Sequence, residues 1–500
     1  MKPPTKSART FYAYQEKDIE TIFANIENNP GNKLIYQLPT GGGKTVVFSE
    51  IARRYIECFN RTVTILTHRK ELCTQTATTL KNLGVKNRII NSTSGNFKPD
   101  CNCYVAMVET LRNRIKSKEI KTHHVGLVII DEANHNSFRK LLGSFKNACV
   151  IGVTATPFSS DISKPMNRHY HSLIAGESIS SLIADGFLAK PESHIYEVEL
   201  NTLKTGIRGD YTVSSSNELY GSPAMLDLLL KAYNNNAKDT KTLIFNNGID
   251  TSVKVRDTFE AAGIAIRHLD NKTLPEERKE ILQWFKKTKG AVLTSVSILT
   301  TGFDEPTVQS VILNRATTSI TLYHQMVGRG SRRLPSKKTF RVIDLGNNIQ
   351  RFGEWHEPVD WKYVFENPEA FAQQIHYQAS ATAVQSHALP AEVRAQFPNT
   401  LEMTFDIEGH YQEAIENDKK AKTVIQQSIR QQALMCLENA ESLSHAISLS
   451  QSLFPEIEWR VKQYVKCLDN ASRNYKEWLI EDYKNRLEGI IRKLYNRSKV

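Results

Sequence analysis

The sequence predicts two consecutive α/β domains with doubly wound parallel sheets, followed by a helical region. Short apolar runs alternate with stretches of helix length from about residue 33, and the same alternation starts again near residue 242. Glycine becomes scarce beyond about residue 365, where the spacing is helical. A chain of 500 residues is also longer than one hydrophobic core usually grows. We therefore place a first lobe at residues 1–190, a connection at 191–223, a second lobe at 224–365 and a helical region at 366–500.

The predicted strands of the first lobe are short apolar runs, which are typical of buried parallel strands. The stretches between them, such as Val46–Phe59 and Glu71–Leu83, have helix length and apolar spacing. The strand candidates are Leu34–Leu38, Thr62–Leu66, Tyr104–Val108, Gly126–Ile130 and Val150–Val153.

Residues 191–223 are polar and loop-like, which predicts a connection between the lobes. The second lobe repeats the alternation, with helix candidates at Ser252–Ala262 and Pro275–Lys287. Its strand candidates are Thr242–Phe245, Ile264–His268, Ala291–Thr294, Val308–Leu313 and Thr339–Asp344.

The last quarter of the chain is predicted to form helices over Ala421–Leu453 and Glu456–Tyr495. We expect its aromatic side chains to belong to a core rather than to a base-stacking platform. The aromatic residues in question are Trp459, Trp478 and Tyr495.

Charge and cysteine usage restrict the class of protein. The net charge of +12 and the pI near 9.1 are compatible with a polyanionic partner. The seven cysteines include no CxxC pair, which argues against a disulfide framework or a zinc ribbon and indicates a reducing compartment. No run reaches the roughly eighteen apolar residues that a membrane span needs, and the amino terminus lacks the apolar stretch of a secretory signal. We therefore expect a cytoplasmic protein without a membrane partner.

A glycine-rich segment, Leu38–Thr45, lies between the first predicted strand and the helix that follows it. Glycines at such a junction allow backbone N–H groups to surround a phosphate at the positive end of the helix. Lys44 is placed to reach the β and γ oxygens, and the Thr45 hydroxyl to bind Mg²⁺. Leu38 stands where the generic pattern has its first glycine, so the strict formula is not met. The sequence thus predicts an ATP and Mg²⁺ site formed by Thr40, Gly41, Gly42, Gly43, Lys44 and Thr45.

Two adjacent carboxylates, Asp131 and Glu132, follow the predicted strand Gly126–Ile130. In an α/β sheet the ends of the strands face the ligand crevice. Asp131 would hold Mg²⁺ through water, and Glu132 would orient or deprotonate the attacking water, because phosphoryl transfer depends mainly on positioning and charge neutralisation. An isolated acidic pair is more often a solvated loop, but its position after the phosphate loop favours the catalytic interpretation.

The phosphate loop and the sequence Asp131-Glu132-Ala133-Asn134 resemble those of the superfamily 2 helicases of the DExx class. Further segments resemble the other family motifs and occur in the same order. In the first half they are Tyr14-Gln15 (the Q element), Leu66–Leu72 (motif Ia), Val108–Leu111 (a later strand-contacting motif) and Thr154–Pro157 (motif III). In the second half they are Thr242–Asn246 (motif IV), Thr300–Pro306 (motif V) and Gln325–Arg332 (motif VI). The resemblance covers about residues 10–350 and implies two RecA-like lobes that hydrolyse ATP in the cleft between them.

The resemblance also implies roles for individual residues at the nucleotide. Arg329 and Arg332 would reach across the cleft to the γ-phosphate, where the fixed fork of an arginine neutralises developing charge. Tyr12 stands where relatives often carry an arginine, so stacking would replace a charged contact. The implied catalytic residues are Lys44, Glu132, Gln325, Arg329 and Arg332, and the implied nucleotide contacts outside the phosphate loop are Tyr14, Gln15, Gly302 and Asp304.

Nucleic acid is the partner that the resemblance implies. Arg69, Thr110, Thr300 and Thr301 would contact phosphates of a bound strand. The closing phrase Val342–Asn347 resembles the RadD-like branch of bacterial repair helicases and their mitochondrial relatives. The wording of motifs III, V and VI favours DNA over RNA.

We expect an ATP-dependent DNA helicase or translocase that remodels forks, junctions or repair intermediates. The alternatives are an RNA helicase and a nucleic-acid-sensing ATPase subunit of a defence or restriction complex. The helical region would grip duplex, recruit a protein partner or brace the second lobe.

Overall fold

The structure is a computed structural model, and it describes residues 10–29, 31–95, 100–159, 161, 163–206, 209–296, 298–300, 303–375, 391–400, 403, 405–416, 420–468 and 473–497. The chain divides into two units, Met1–Ile375 and His376–Val500. The first unit contains two sheets, and the second contains helices. Among the described residues no helix is both long and apolar enough to cross a membrane.

The first sheet has seven parallel strands in the order β3-β4-β2-β5-β6-β1-β7. Five of them correspond to the predicted strands, and their buried residues form the core of the lobe, as in the register pair Leu34 and Ile151. The short strands β3 and β7 were not predicted, because their residues are mostly half-buried and give no apolar run. The strands are β1 (Lys33–Gln37), β2 (Thr62–Thr67), β3 (Arg88–Ile90), β4 (Cys103–Met107), β5 (Val125–Asp131), β6 (Cys149–Thr154) and β7 (Ser172–Ala175).

Helices lie in several of the connections between these strands, because parallel strands need crossover connections. Helix α1 lies before the first strand and carries the Q element on its first turn. The helices are α1 (Ala13–Asn28), α2 (Lys44–Phe59), α3 (Lys70–Asn82), α4 (Val108–Lys116), α5 (Arg139–Leu142) and α6 (Ile179–Ala184), with 3₁₀ turns at Asn136–Phe138 and Met166–Arg168.

The second sheet has six parallel strands in the order β10-β11-β9-β12-β13-β8. The five predicted strands correspond to β9–β13. The strands are β8 (Lys190–Ile195), β9 (Thr242–Asn246), β10 (Ile266–Leu269), β11 (Val292–Val296), β12 (Ser310–Asn314) and β13 (Thr339–Asp344). The helices are α7 (Val213–Tyr220), α8 (Pro223–Asn236), α9 (Ile249–Ala261), α10 (Pro275–Lys287), α11 (Ile320–Val327), α12 (Asn348–Phe352) and α13 (Trp361–Glu366).

The segment predicted as a connection, residues 191–223, contains regular structure. Strand β8 pairs with β13 at the edge of the second sheet, and α7 follows it. Only Pro191 of β8 is buried, so the strand lacks the apolar run that would have predicted it. A proline is tolerated there because an edge strand leaves one row of N–H groups unpaired.

The second unit is helical in its described residues, and each long predicted helix is two helices. The first is interrupted where the Asn439 amide donates to the Met435 carbonyl at 2.8 Å and Ser442 caps the following helix. The core expectation for Trp478 is wrong, because its side chain is 55% exposed and stacks on Tyr475. The helices are α14 (Ala391–Arg394), α15 (Ile407–Glu416), α16 (Lys422–Glu438), α17 (Leu443–Ser452), α18 (Phe454–Lys466) and α19 (Arg473–Arg497).

Candidate active site

The glycine-rich segment Leu38–Thr45 forms a loop from the end of β1 to the start of α2. Gly41 and Gly43 have φ angles of +99° and +89°, in the left-handed region that favours glycine. A Cβ on Gly43 would lie 2.6 Å from Nε2 of Gln15, so a larger residue would displace the Gln15 side chain. The backbone therefore makes a tight turn in front of the α2 amino terminus, the geometry that binds a phosphate.

The Lys44 side chain lies inside this loop. Its Nζ donates to the carbonyls of Leu38 at 3.2 Å and Pro39 at 3.4 Å. Burial lowers the pKa of Lys44, while the carboxylates of Glu132 and Asp131 oppose that shift. The ammonium is thus placed between the phosphate loop and the acidic pair.

The Q element holds the loop from the other side. The Tyr14 hydroxyl donates to the Gly42 carbonyl at 2.8 Å, and Nε2 of Gln15 lies 3.3 Å from the same oxygen. Tyr12 is 55% exposed, and its ring lies 4.4 Å from that of Phe187. Phe187 carries no motif signal in the sequence. Tyr12 is thus exposed beside Phe187, whereas Tyr14 and Gln15 contact the loop itself.

The acidic pair stands at the end of β5. Asp131 and Glu132 are 4% and 7% exposed, and Glu132 has a φ of +54°, an uncommon angle for a residue with a side chain. Burial, followed by the charge of Glu132, raises the pKa of Asp131 to about 7. Two buried carboxylates next to each other need a cation to stay charged together. Lys44 supplies part of that charge.

Motif VI of the second lobe lies on and after α11 and faces this pair. Nε2 of Gln325 donates to Oε2 of Glu132 at 3.4 Å. Thr156 of motif III, in the first lobe, donates its hydroxyl to that of Thr321 at 2.9 Å. Thr321 lies one helical turn before Gln325, so it shares the same helix face. Thr321 lies four residues before Gln325 and therefore outside the motif VI segment, so matching that motif does not identify it.

The two arginines of motif VI lie in different surroundings. Nη1 of Arg332 lies 3.1 Å from the position that a Cβ on Gly41 would take, and its Nε donates to Asp304 at 2.8 Å. Arg332 is therefore next to the phosphate loop. Arg329 donates instead to the carbonyls of Thr300, at 2.8 Å, and Phe303, and burial lowers its pKa to about 10. Its guanidinium holds the motif V loop.

The residues predicted to contact a bound nucleic-acid strand are distributed over both lobes. Arg69 precedes α3, and its Nη1 donates to the Ile298 carbonyl of the second lobe at 2.7 Å. Thr110 is half-buried on α4, and Thr300 is buried. Two further predicted site residues, Thr301 and Gly302, lie outside the described residues.

Two family models match the regions that hold these motifs. The model described as type III restriction enzyme, res subunit, matches residues 9–159, and that of the helicase conserved C-terminal domain matches residues 223–333. The 51.5 kDa protein of a Lactococcus phage is 31% identical over 66% of this chain and 69% of its own length. The chain belongs to the superfamily 2 helicases.

Superfamily 2 helicases are ATP-hydrolysing enzymes, and the Saccharomyces cerevisiae protein named ATP-dependent helicase IRC3 is 30% identical over 68% of this chain. That alignment covers 52% of IRC3, so the chain spans about half the length of this relative. Among solved structures, the fragment of an HsdR subunit of a type I restriction enzyme from Vibrio vulnificus covers 70% of this chain and 67% of its own. Its TM-score is 0.57 at 23% identity, which supports the two-lobed fold of this superfamily 2 helicase.

Proposed function

We propose that this protein is an ATP-dependent DNA helicase or translocase that remodels forks, junctions or repair intermediates. The observation that carries the proposal is the contact of Gln325, from the second lobe, with Glu132, from the first. Because one site takes side chains from both lobes, ATP binding and hydrolysis would change how the lobes close on each other.

The residues present fit ATP with Mg²⁺. The left-handed glycines leave a cradle in front of α2, and the raised pKa of Asp131 marks a buried carboxylate that a cation would stabilise in its charged form. Thr45 and Asp131 are the residues that would hold the metal. Bound Mg²⁺ would neutralise charge on the phosphate oxygens.

The protein's own side chains would then divide the remaining tasks. Glu132 would orient the attacking water, and Gln325 would hold Glu132 in place through their hydrogen bond. Arg332 would neutralise charge at the phosphates from the side of Gly41. Phosphoryl transfer requires this kind of positioning more than covalent chemistry.

Charge distribution and family support a nucleic-acid substrate. Residues 376–500 hold 16 basic and 16 acidic residues, so the whole net charge of +12 belongs to residues 1–375. Arg69, Thr110, Thr300 and Thr301 are the proposed phosphate contacts. Two observations favour DNA over RNA: the family model that matches the first lobe is described as a restriction-enzyme subunit, and the wording of motifs III, V and VI resembles that of repair helicases.

The test is the steady-state ATPase rate without polymer and with single-stranded DNA, duplex DNA, forked DNA or RNA. We expect the strongest stimulation by forked or duplex DNA, and loss of activity in Lys44→Ala and Glu132→Gln. Stimulation by RNA alone would instead identify an RNA helicase. No stimulation by any polymer would contradict the proposed motor.

A further inference from the structure

The chain between β8 and α7 folds back on itself. Thr205 and Tyr211 form an antiparallel bridge, and the Thr212 N–H donates to the Lys204 carbonyl at 2.8 Å. Gly209 adopts a φ of +84° just before Asp210. We call the described residues of this segment, 204–206 and 209–212, the strap.

Asp210 joins the strap to the loop that follows β12. Its Oδ1 accepts from the Thr318 N–H at 2.9 Å, and its Oδ2 accepts from the Thr317 hydroxyl at 2.9 Å. Arg315 is a second donor to Oδ2, at 3.2 Å. The Thr318 hydroxyl also donates to the Gly209 carbonyl at 2.8 Å. One carboxylate therefore fixes both the backbone and the side chains of this loop.

Two buried arginines, Arg315 and Arg351, contact the strap. Arg315 is 4% exposed, so its charge needs a counterion, and Asp210 is the acidic side chain that it contacts. Arg351 is 5% exposed and donates to the Thr317 carbonyl and, at 2.7 Å, to the Tyr211 hydroxyl. Charge-assisted hydrogen bonds of Arg315 and Arg351 thus join the strap to the loop that follows β12.

The same loop starts the helix of motif VI. The Thr317 hydroxyl accepts from the Ser319 N–H at 3.1 Å, and Ser319 caps α11 by accepting from the Leu322 N–H at 3.2 Å. Thr321 and Gln325 follow on this helix and contact Thr156 and Glu132 in the first lobe. Hydrogen bonds therefore connect the Asp210 carboxylate to the start of a helix that reaches the acidic pair.

We propose that Asp210 is a positioning residue for ATP hydrolysis, acting through Thr317 and α11 on the placement of Gln325 against Glu132. This inference rests on the proposed hydrolytic role of that pair. Replacement by asparagine leaves one acceptor oxygen and turns an amide donor toward the donors of Arg315 or Thr317. Loss of Asp210 would therefore shift the start of α11, and the contacts of Asp210 given above involve no residue of the phosphate loop.

The test compares kcat and KM for ATP in the full-length protein for Asp210→Asn, Asp210→Ala and the control Asp227→Asn. Asp227 is an exposed carboxylate on α8 in the same lobe. We expect kcat to fall about 10- to 100-fold in the Asp210 variants, the size expected for a displacement of about 1 Å near the reacting groups. The KM for ATP should stay close to that of the wild type, because Asp210 contacts the loop before α11 and not the phosphate loop. An unchanged kcat in both folded Asp210 variants would overturn the proposal.

Two further substitutions separate positioning from loss of fold and from failure of the proposed function. Thr317→Ala should slow hydrolysis like Asp210→Asn, whereas Thr317→Ser should restore it because the hydroxyl is kept; equal rates in the two would also overturn the proposal. Combining Asp210→Asn with Gln325→Ala should give no further loss beyond Gln325→Ala alone. Full activity of Gln325→Ala by itself would instead contradict the hydrolytic role of Gln325.

Discussion

The two units of the chain use buried charge in different ways. In residues 1–375, Asp131 and Glu132 are buried near the half-buried Lys44, and burial, followed by the charge of Glu132, raises the pKa of Asp131. In residues 376–500, the fully buried Arg460 is surrounded by acceptors. They are Glu456 at 2.8 Å, Ser428 at 3.0 Å, Gln431 at 2.8 Å and the Met403 carbonyl at 2.9 Å. The first arrangement holds two adjacent buried carboxylates near one lysine, whereas the second pairs a buried arginine with a carboxylate and three further acceptors inside a helical core.

The two units also differ in net charge. Residues 376–500 are neutral overall, and the excess of 12 positive charges lies in residues 1–375. Electrostatic attraction of a polyanion therefore depends on the two lobes. We expect substitutions of charged residues in the lobes to change activity, and matched substitutions in the helical unit to change stability alone.

The largest difference should appear at Arg332. Arg332→Ala is expected to lower kcat for ATP about 10³-fold, because an arginine at the γ-phosphate contributes at least that much in related phosphoryl transfer. The matched control is Arg486→Ala, which removes a half-exposed arginine on α19. Steady-state ATPase assays with DNA measure both. A similar decrease of kcat in the two variants would contradict the expectation that only charged residues of the lobes contribute to ATP hydrolysis.

Arg460→Ala should act on stability. Removing one partner of a buried ion pair costs about 3–5 kcal/mol, because the other charge stays buried. We expect a lower free energy of unfolding of the helical unit, measured by denaturant titration with circular dichroism. The ATPase rate of the folded variant should equal that of the wild type. A fall in ATPase at a temperature where the variant is folded would show that the helical unit takes part in the motor.

A moderate effect is expected for nucleic-acid affinity at Arg69. Arg69→Ala should weaken DNA binding similarly for all sequences and reduce the salt slope of the affinity by about one, as expected for one lost phosphate contact. Lys493→Ala, a basic residue on α19 of the neutral unit, is the control. Fluorescence anisotropy at several salt concentrations measures both slopes. An unchanged slope for Arg69→Ala would remove Arg69 from the strand contact.

The smallest effect is a pH dependence at Lys337 in the second lobe. Burial lowers its pKa from the usual 10.5 to about 8, and its Nζ donates to the carbonyls of Val308 at 2.7 Å and Gly330 at 2.9 Å. Between these pH values the unfolded chain binds more protons than the folded one, so the stability contribution of Lys337 rises with pH. The free energy of unfolding of the wild type relative to Lys337→Met should therefore increase from about pH 8 to about pH 10. A constant difference would contradict the shift.

Sequence periodicity predicted the parts of the fold that have buried apolar strands. It missed β8, whose residues are mostly polar at a sheet edge, and it therefore treated residues 191–223 as a connection. In the helical unit, composition could not distinguish the exposed Trp478 from a core aromatic, because exposure depends on which helix face has a neighbour.

The sequence predicted that the phosphate loop and the acidic pair each follow a buried strand, because each motif is a short contiguous segment that can be recognised from its own residues. The contacts between the lobes could not be predicted in this way, since Thr156 and Thr321 are 165 positions apart and no local pattern records their approach. The different surroundings of Arg329 and Arg332 are likewise a property of the folded cleft. The order of the motifs predicted which residues belong to the site. Their hydrogen-bond partners in the other lobe could be read only from the folded structure.

We propose that the two lobes together form a single hydrolytic site. The most direct test is a kinetic cycle on Glu132→Gln, Gln325→Ala and the double variant, with single-turnover ATP hydrolysis in the presence of DNA. We predict that each single substitution slows hydrolysis and that the double variant is no slower than Glu132→Gln, because both residues act in one unit. If the rate decreases of the two single variants multiply in the double variant, Gln325 and Glu132 act independently, which would contradict a single hydrolytic site formed by both lobes.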